Sequence, residues 1–410
     1  MKKKLREDAE AIYTYAIQEV LPDRSVRRAL ESFSKGTGRL YLIAVGKAAW
    51  AMADAASRVL DIDEGIVLTK YGHAKGRIDR VMCLEAGHPV LDENSIRGTE
   101  KILELTDRLK EDDQVLFLLS GGASALFEKP LIPLEELQKV NEALLRCGAD
   151  IKETNTIRKR LSTVKGGRFG KRLEPAKITT IILSDVLGDP LDVIGSGPTV
   201  ADPSTREEAQ AIVEKYGLSF SKEVLDHLYE ETPKTSAEQT IVFAGNVSGL
   251  TDAAARKAEE LGYRVIRLSD EVAGETADAG RELAKMALKY KDEGPVALIQ
   301  GGETTVTVKG SGKGGRNQEF ALSTAKFLDG EDIAVFSIGS DGTDGPTEAA
   351  GGYCDGDTLK EAYESHIDID AYMENSDSYH ALKALGGLLI TGATGTNVND
   401  LSVALIGGEK

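Results

Sequence analysis

Glycine, lysine and aspartate recur in this chain at one kind of place, directly behind a short apolar run. The run 115–119 stops on Ser120-Gly121-Gly122-Ala123-Ser124, and the run 42–45 stops on Gly46-Lys47. Residues 181–183 lead into Ser184-Asp185 and then Gly188-Asp189, while 335–338 lead into Gly339-Ser340-Asp341 with Asp344-Gly345 just beyond. Adjacent glycines leave backbone N–H groups uncovered, so Ser120, Gly121, Gly122 and Ser124 make a candidate phosphate seat at the start of a helix. A turn that needs glycine only for its geometry is the plainer alternative. What favours a ligand is the repetition, because open α/β sheets bind at the carboxyl ends of their strands.

The charged residues of these loops suit phosphoryl chemistry. Lys47 opens a helix, where the macrodipole disfavours a cation unless an anion lies opposite; a surface lysine with a buried stem is the alternative. Asp185, Asp189 and Asp192 share one irregular loop and could hold Mg²⁺ or supply a general base, or else serve as turn and cap residues. The loop 309–318, K-G-S-G-K-G-G-R-N-Q, matches G-x-G-x-x-G through Gly310, Gly312 and Gly315. It also carries Lys313 and Arg316, which fit a phosphoryl group better than a nicotinamide, and Arg316 offers a forked donor for charge developing in transfer. Asn317 beside it, together with Asp185, Asp341 and Asp344, completes the candidates for contacts to substrate or metal, with Asp341 and Asp185 foremost for Mg²⁺. The turn 341–346 lacks the later glutamate of a calcium hand. The histidines show no metal spacing; only His88, before Pro89 in a loop, stands out. No G-x-S-x-G elbow is present.

Alternating strands and helices must carry these loops. Strand patterns at 40–45, 65–69, 81–85, 115–119 and 178–183 alternate with helical spacing at 47–60, 93–109, 134–156 and 204–215, predicting a doubly wound, mostly parallel sheet of Rossmann-like type. The stretch 231–239 has linker composition, and the alternation restarts after it with a strand at 240–244. We therefore expect a domain of residues 1–235 and a smaller α/β domain of residues 236–410. In the second, the strict alternation at 304–308 predicts an antiparallel hairpin partner and hence a mixed sheet, and 383–392 and 402–406 read as short terminal strands. A chain of 410 residues is long enough for two cores.

Composition narrows the partners. A formal net charge of −17 argues against nucleic acid or an anionic membrane. No run is long enough to span a bilayer, no apolar signal core follows Met1, and the three scattered cysteines form neither a disulfide framework nor a zinc site. The expectation is a cytoplasmic protein with small-molecule partners, as a monomer or homodimer.

Six motifs, in order, are V-G-K-A, L-S-G-G-A-S-A-L, S-D-V-x-G-D-P-x-x-x-I-G-S-G-P-T, G-G-R-N-Q-E, S-x-G-S-D-G-T-D-G-P-T-x-A-A-G-G and T-G-x-T-x-T-N-V-x-D. Together they resemble the glycerate 2-kinase family whose C-terminal part is called the MOFRL domain. The resemblance implies ATP-dependent, Mg²⁺-assisted phosphorylation of D-glycerate on its C2 hydroxyl, giving 2-phosphoglycerate and ADP, in a cleft between the two domains. It places the family's lysine on Lys47, its arginine on Arg316 and its acidic positions on Asp189 and Asp341. Two other readings stand beside it. An NAD(P)H-dependent hydroxypyruvate reductase would use the loop 310–315, but lacks a suitably placed acid about 20 residues on. A non-catalytic small-anion binding protein would need no carboxylates in the seats.

Overall fold

The computed structural model describes residues 2–408. They divide into two compact units, Val26–Ala244, and the chain up to Ser25 together with everything from Gly245 onward. The first helix, α1 (Lys2–Glu19), buries the stripe Leu5, Ala9, Ile12 and Ala16, with Val20 buried just past its end, and belongs to the second of these units. Helix α2 (Pro22–Ala29) follows, with Pro22 at its first position and Arg27 and Arg28 in its last turn.

The unit Val26–Ala244 is built on β1 (Leu40–Val45), β2 (Glu64–Lys70), β3 (Val81–Ala86), β4 (Gln114–Ser120), β5 (Lys177–Leu183) and β6 (Gln239–Gly245), in the order β3-β2-β1-β4-β5-β6. The pairs β1–β2, β1–β4, β2–β3 and β4–β5 are parallel. Helices α3 (Ala49–Ser57), α4 (Glu93–Thr106), the single turn α5 (Ala123–Leu126), α6 (Leu134–Cys147), α7 (Ile151–Arg160), α8 (Arg168–Leu173), α9 (Arg206–Lys215) and α10 (Lys222–Leu228) complete it. Phe117, Phe127 and Phe169 meet under the sheet within one apolar cluster. A second cluster forms where Leu137, Val140 and Leu144 of α6 meet Ile157 of α7 and the following helices. The single helical stretch expected over 134–156 is two helices, because Gly148 takes φ 73° as the C-cap of α6 and Asp150 caps α7.

The second unit holds α11 (Val247–Glu260), β7 (Arg264–Arg267), α12 (Thr276–Leu288), β8 (Val296–Gly302), α13 (Arg316–Leu328), β9 (Ile333–Gly339), β10 (Gly351–Asp355), α14 (Thr358–Glu364), α15 (Ile369–Glu374), α16 (Ser378–Ala384), β11 (Leu388–Leu389) and β12 (Asp400–Ile406). Its strand order is β11-β10-β9-β12-β8-β7. The sheet is mixed, as expected, but through β12, which runs antiparallel to both β8 and β9, and through β10 and β11. The hairpin expected at 304–308 is absent. That segment continues beside 272–276, Thr305 N donating to Gly274 O at 2.8 Å and Thr276 N to Thr305 O at 2.9 Å. Residues 383–392 give only the two-residue β11, since the end of α16 occupies their first positions.

The division also differs from the expected boundary at 235. Strand β6 lies beside β5 on the first sheet, not at the start of the second unit. α1 joins the second unit through Asp8, which accepts from the Tyr263 hydroxyl at 2.7 Å, through Arg6 over the Tyr353 ring and through the Tyr13–Phe336 ring contact.

Candidate active site

Strand register gathers the loops of the first unit. Val45 pairs with both Leu68 and Leu119, and Ser120 pairs with Leu183, so Gly46-Lys47, Gly121-Gly122 and Ser184-Asp185 leave the sheet at one level. This is also where the strand order reverses between β1 and β4, the position at which doubly wound sheets open a crevice.

Local contacts then fix Lys47. Its N–H donates to Gly121 O at 2.8 Å, its carbonyl lies 2.9 Å from His73 Nδ1, and the Ser120 hydroxyl accepts from Ala48 N at 3.1 Å. Its Nζ lies 3.6 Å from Asp185 Oδ2. The two glycines are needed for close approach. A Cβ on Gly121 would stand 2.0 Å from Asp185 Oδ2, and one on Gly122, which has φ 86°, would stand 2.9 Å from His88 Nε2 and 3.0 Å from Lys47 Cγ. His88 therefore borders the seat. Burial, then the nearby Lys47 charge, pushes its pKa down. The α5 helix behind the seat has one turn only, so its dipole is slight. Cationic character here comes chiefly from Lys47.

The three aspartates after β5 have separated roles. Asp185 faces Lys47; Asp189 adopts φ 51°, a conformation unusual outside glycine; Asp192 sits 3.2 Å from Lys159, which also reaches Asp202 at 3.2 Å. The Ser124 hydroxyl lies 3.0 Å from Ser196 Oγ, and Ser196 Oγ is 3.2 Å from Asn155 Oδ1.

In the second unit, the carboxyl ends of β8 and β9 and the start of the antiparallel β12 lie together, since Asp400 pairs with both Gly302 and Gly339. Arg316, first residue of α13, binds Asp400 through Nε at 2.6 Å and Nη2 at 3.0 Å, and Glu303 through Nη1 at 2.8 Å. Burial alone would lower the guanidinium pKa, but these carboxylates outweigh it and raise it; burial pushes the Asp400 carboxyl up to about 6 despite its partner. Asn399 Nδ2 holds the other oxygen of Glu303 at 3.0 Å. Arg316 is thus an oriented cation whose fork already has acceptors.

Several expected ligand residues make contacts within the fold. Asp344 caps α13, accepting from Asn317 N at 3.1 Å, Gln318 N at 2.9 Å and Gln318 Nε2 at 2.8 Å, and Asn317 accepts from the Ser337 hydroxyl at 2.6 Å. The glycine loop is braced, not open. Lys309 N donates to Ser376 Oγ, Ser311 N to Asn375 Oδ1, Gly312 N to Asn375 O and Lys313 N to Asp377 Oδ1, at 2.9–3.1 Å. These amides are not left for a dinucleotide pyrophosphate. The Lys313 amine lies over the Tyr379 ring, 4.5 Å from its centroid. Asp341 accepts from Thr343 N at 2.9 Å within its own turn.

Similarity to known proteins follows both units. Residues 8–229 match a family described as a domain of unknown function, DUF4147, and residues 296–400 match the MOFRL family. The chain is 51% identical to a D-glycerate 2-kinase of Thermotoga maritima over 98% of each chain. The chain belongs to the glycerate 2-kinase family with a C-terminal MOFRL domain. Another family member, a glycerate 2-kinase of Pyrococcus horikoshii, is 41% identical over 91% of this chain and 88% of its own. A crystal structure of glycerate kinase from Thermotoga maritima superimposes with a TM-score of 0.96 at 50% identity, covering 98% of this chain and 100% of that one.

Within that family setting, the residues that escaped the sequence reading approach the seat from elsewhere in the chain. His73 pins the Lys47 carbonyl, and Asn155 and Ser196 join Ser124. Only Ser196, which stands in the I-G-S-G-P-T motif, had a signal in the sequence. Among the described residues no three His, Cys, Asp or Glu side chains converge on a metal position, and no helix is long and apolar enough to cross a membrane. The two carboxylates expected for Mg²⁺ stand in different units, Asp185 beside Lys47 and Asp341 within its own turn.

Proposed function

We propose that this chain is an ATP-dependent kinase that phosphorylates the C2 hydroxyl of D-glycerate, giving 2-phosphoglycerate and ADP. The observation that carries the reading is the Lys47 turn. A lysine whose N–H and carbonyl are both held, beside a Gly-Gly strand end, in a chain whose relatives bear the name glycerate 2-kinase, supports a phosphoryl-binding cation.

In the reaction, the C2 oxygen forms a bond to the γ-phosphorus while the bond to the β–γ bridging oxygen breaks; ADP leaves, and the hydroxyl proton passes to a base. Transfer of this kind asks mainly for positioning and charge neutralisation. Gly121, Gly122 and Ser124 seat phosphate oxygens, and Ser120 holds the turn that presents Lys47. Lys47 neutralises charge on the phosphoryl, and Arg316, oriented by Asp400 and Glu303, is the second cation. Asp189 orients the hydroxyl or takes its proton. Mg²⁺, when bound with the nucleotide, supplies further neutralisation of phosphate oxygens. The partners are small molecules, and we place the chain in the cytoplasm as a monomer or homodimer. ADP release from Mg-ATP that depends on D-glycerate, with phosphorus NMR assigning the ester to C2, is the expected result. NADH oxidation by hydroxypyruvate without ADP release would replace the kinase by a reductase, and neither reaction would leave an anion-binding protein.

A further inference from the structure

Helix α7 contributes a cation that neither the motifs nor the reaction scheme uses. Arg158 donates from Nη2 to the Ser124 carbonyl at 3.2 Å, while its buried Nε meets no acceptor. Its cationic neighbours are handled differently. Lys159 has Asp192 and Asp202, Arg160 has Glu231 at 3.0 Å, and Lys165 has Glu128 at 2.6 Å. Among the described residues no carboxylate lies within ion-pair distance of Arg158. The opposing charge acting on it is that of Glu128, which is already paired with Lys165 and only partly offsets the burial that pushes the Arg158 pKa down.

The surroundings point to what it is kept for. Asn155 stands three residues earlier, on the same face of α7, and its Oδ1 is 3.2 Å from Ser196 Oγ, which in turn is 3.0 Å from Ser124 Oγ. Ser196 is held at φ 63° between Gly195 and Gly197, both also at positive φ, and a Cβ on Gly195 would press on Leu119 of β4 and Ala123 of α5. A strained serine, a buried amide and a guanidinium with one unmet donor thus meet at Ser124, within one turn of Gly121 and Gly122.

We propose that Arg158, supported by Asn155 and Ser196, is the residue that binds the carboxylate of the hydroxy-acid acceptor. The proposal rests on the kinase reading and deepens it. A planar fork matches a carboxylate with two parallel N–H···O bonds, which the point charge of a lysine does not reproduce. An acid anchored by its carboxylate next to the phosphate seat also offers its C2 oxygen, two bonds from the carboxylate carbon, ahead of the C3 oxygen, three bonds away. The subsite would therefore favour phosphorylation at C2.

The test combines binding with kinetics, using Arg158→Met and Arg158→Lys. Calorimetry of the wild-type protein with D-glycerate should give binding that glycerol, without the carboxylate, does not. Each variant should raise the Kd and KM for D-glycerate by about tenfold or more while leaving the KM for ATP within about twofold, the loss of a charge-assisted fork seen on one substrate only. If Arg158→Met fails to fold, Arg158→Lys still reads the fork, because it keeps charge and stem. Unchanged D-glycerate affinity in a folded variant, or a rise confined to ATP, overturns the assignment. So does a wild-type protein that binds D-glycerate no better than glycerol. Carboxylate-dependent binding lost in the variants, in a wild-type protein that releases no ADP, would keep the subsite and remove the kinase.

Discussion

Lys47 and Arg316 look alike as cations in the sequence and differ in what holds them. Lys47 sits 3.6 Å from a partly exposed Asp185, a pair of the kind worth about 0–1 kcal/mol. Lys47→Ala should therefore leave the thermal midpoint nearly unchanged while cutting turnover on the order of a hundredfold or more, as loss of an electrostatic contact to the transferring group does. Turnover close to wild type would remove Lys47 from the mechanism. Arg316 is bound in a fork to Asp400, a residue 5% exposed, so truncation strands a buried carboxylate. Arg316→Ala should lose about 3–5 kcal/mol of stability in urea titrations, unless Asp400 takes up a proton, as well as activity. Arg316→Lys is the variant that isolates catalysis, and a stable, fully active Arg316→Ala would refute both roles. Lys47, Gly121, Gly122 and Asp185 could be grouped from the sequence because each stands directly behind an apolar run, and parallel strands in register end at one level. His73, Asn155 and Arg158 were not, because each reaches the seat from a segment distant in sequence, and nothing local to them records the approach.

At the scale of elements, the strands were easy to read and the helix ends were not. Runs such as 115–119 are apolar on both faces, which only a covered parallel sheet explains, whereas a helix boundary turns on one residue, as Gly148 does between α6 and α7. The alternating segment 304–308 misled for a physical reason. Its polar residues pair with 274–276 and not with a neighbouring hairpin strand. Helix α13 carries a consequence of its own packing. Burial, with the charge of Glu275 added, pushes the Glu319 carboxyl up to about 7, against opposing Lys309 and Arg281. Between the ordinary glutamate range and that value the folded state holds a proton that the unfolded chain has shed, so stability falls as pH rises through this window and the penalty is complete above it. Glu319→Gln should flatten that fall, gaining about 1–3 kcal/mol at pH about 8 relative to wild type and little at pH about 5. Urea midpoints at the two pH values measure it, and parallel curves for the two proteins would show that Glu319 ionises freely in the folded state.

For the whole molecule, the notable fact is that chain order and packing order disagree. α1 is first in sequence, yet its buried stripe and the Asp8–Tyr263 hydrogen bond belong to the unit that begins at Gly245, while the unit Val26–Ala244 is one uninterrupted stretch with its own apolar clusters. An amphipathic helix shows in its sequence that it must cover something, but not what, so the expected boundary assigned it to the nearer sheet. The two units should therefore behave differently when separated. A fragment of residues 26–244 should fold alone, with a cooperative thermal transition and native-like circular dichroism. A fragment of residues 245–410 should not, because removal of α1 uncovers the positions that Leu5, Ile12, Ala16 and Val20 bury, at roughly 1.5–3 kcal/mol for each large side chain. That is a large share of the roughly 5–15 kcal/mol by which a domain is stable. Adding a peptide of residues 1–25 in trans should restore its cooperative transition, with a midpoint that rises with peptide concentration as binding to the folded state requires. A fragment of residues 245–410 that unfolds cooperatively without the peptide, at the midpoint reached with it, would mean that α1 covers this unit without stabilising it.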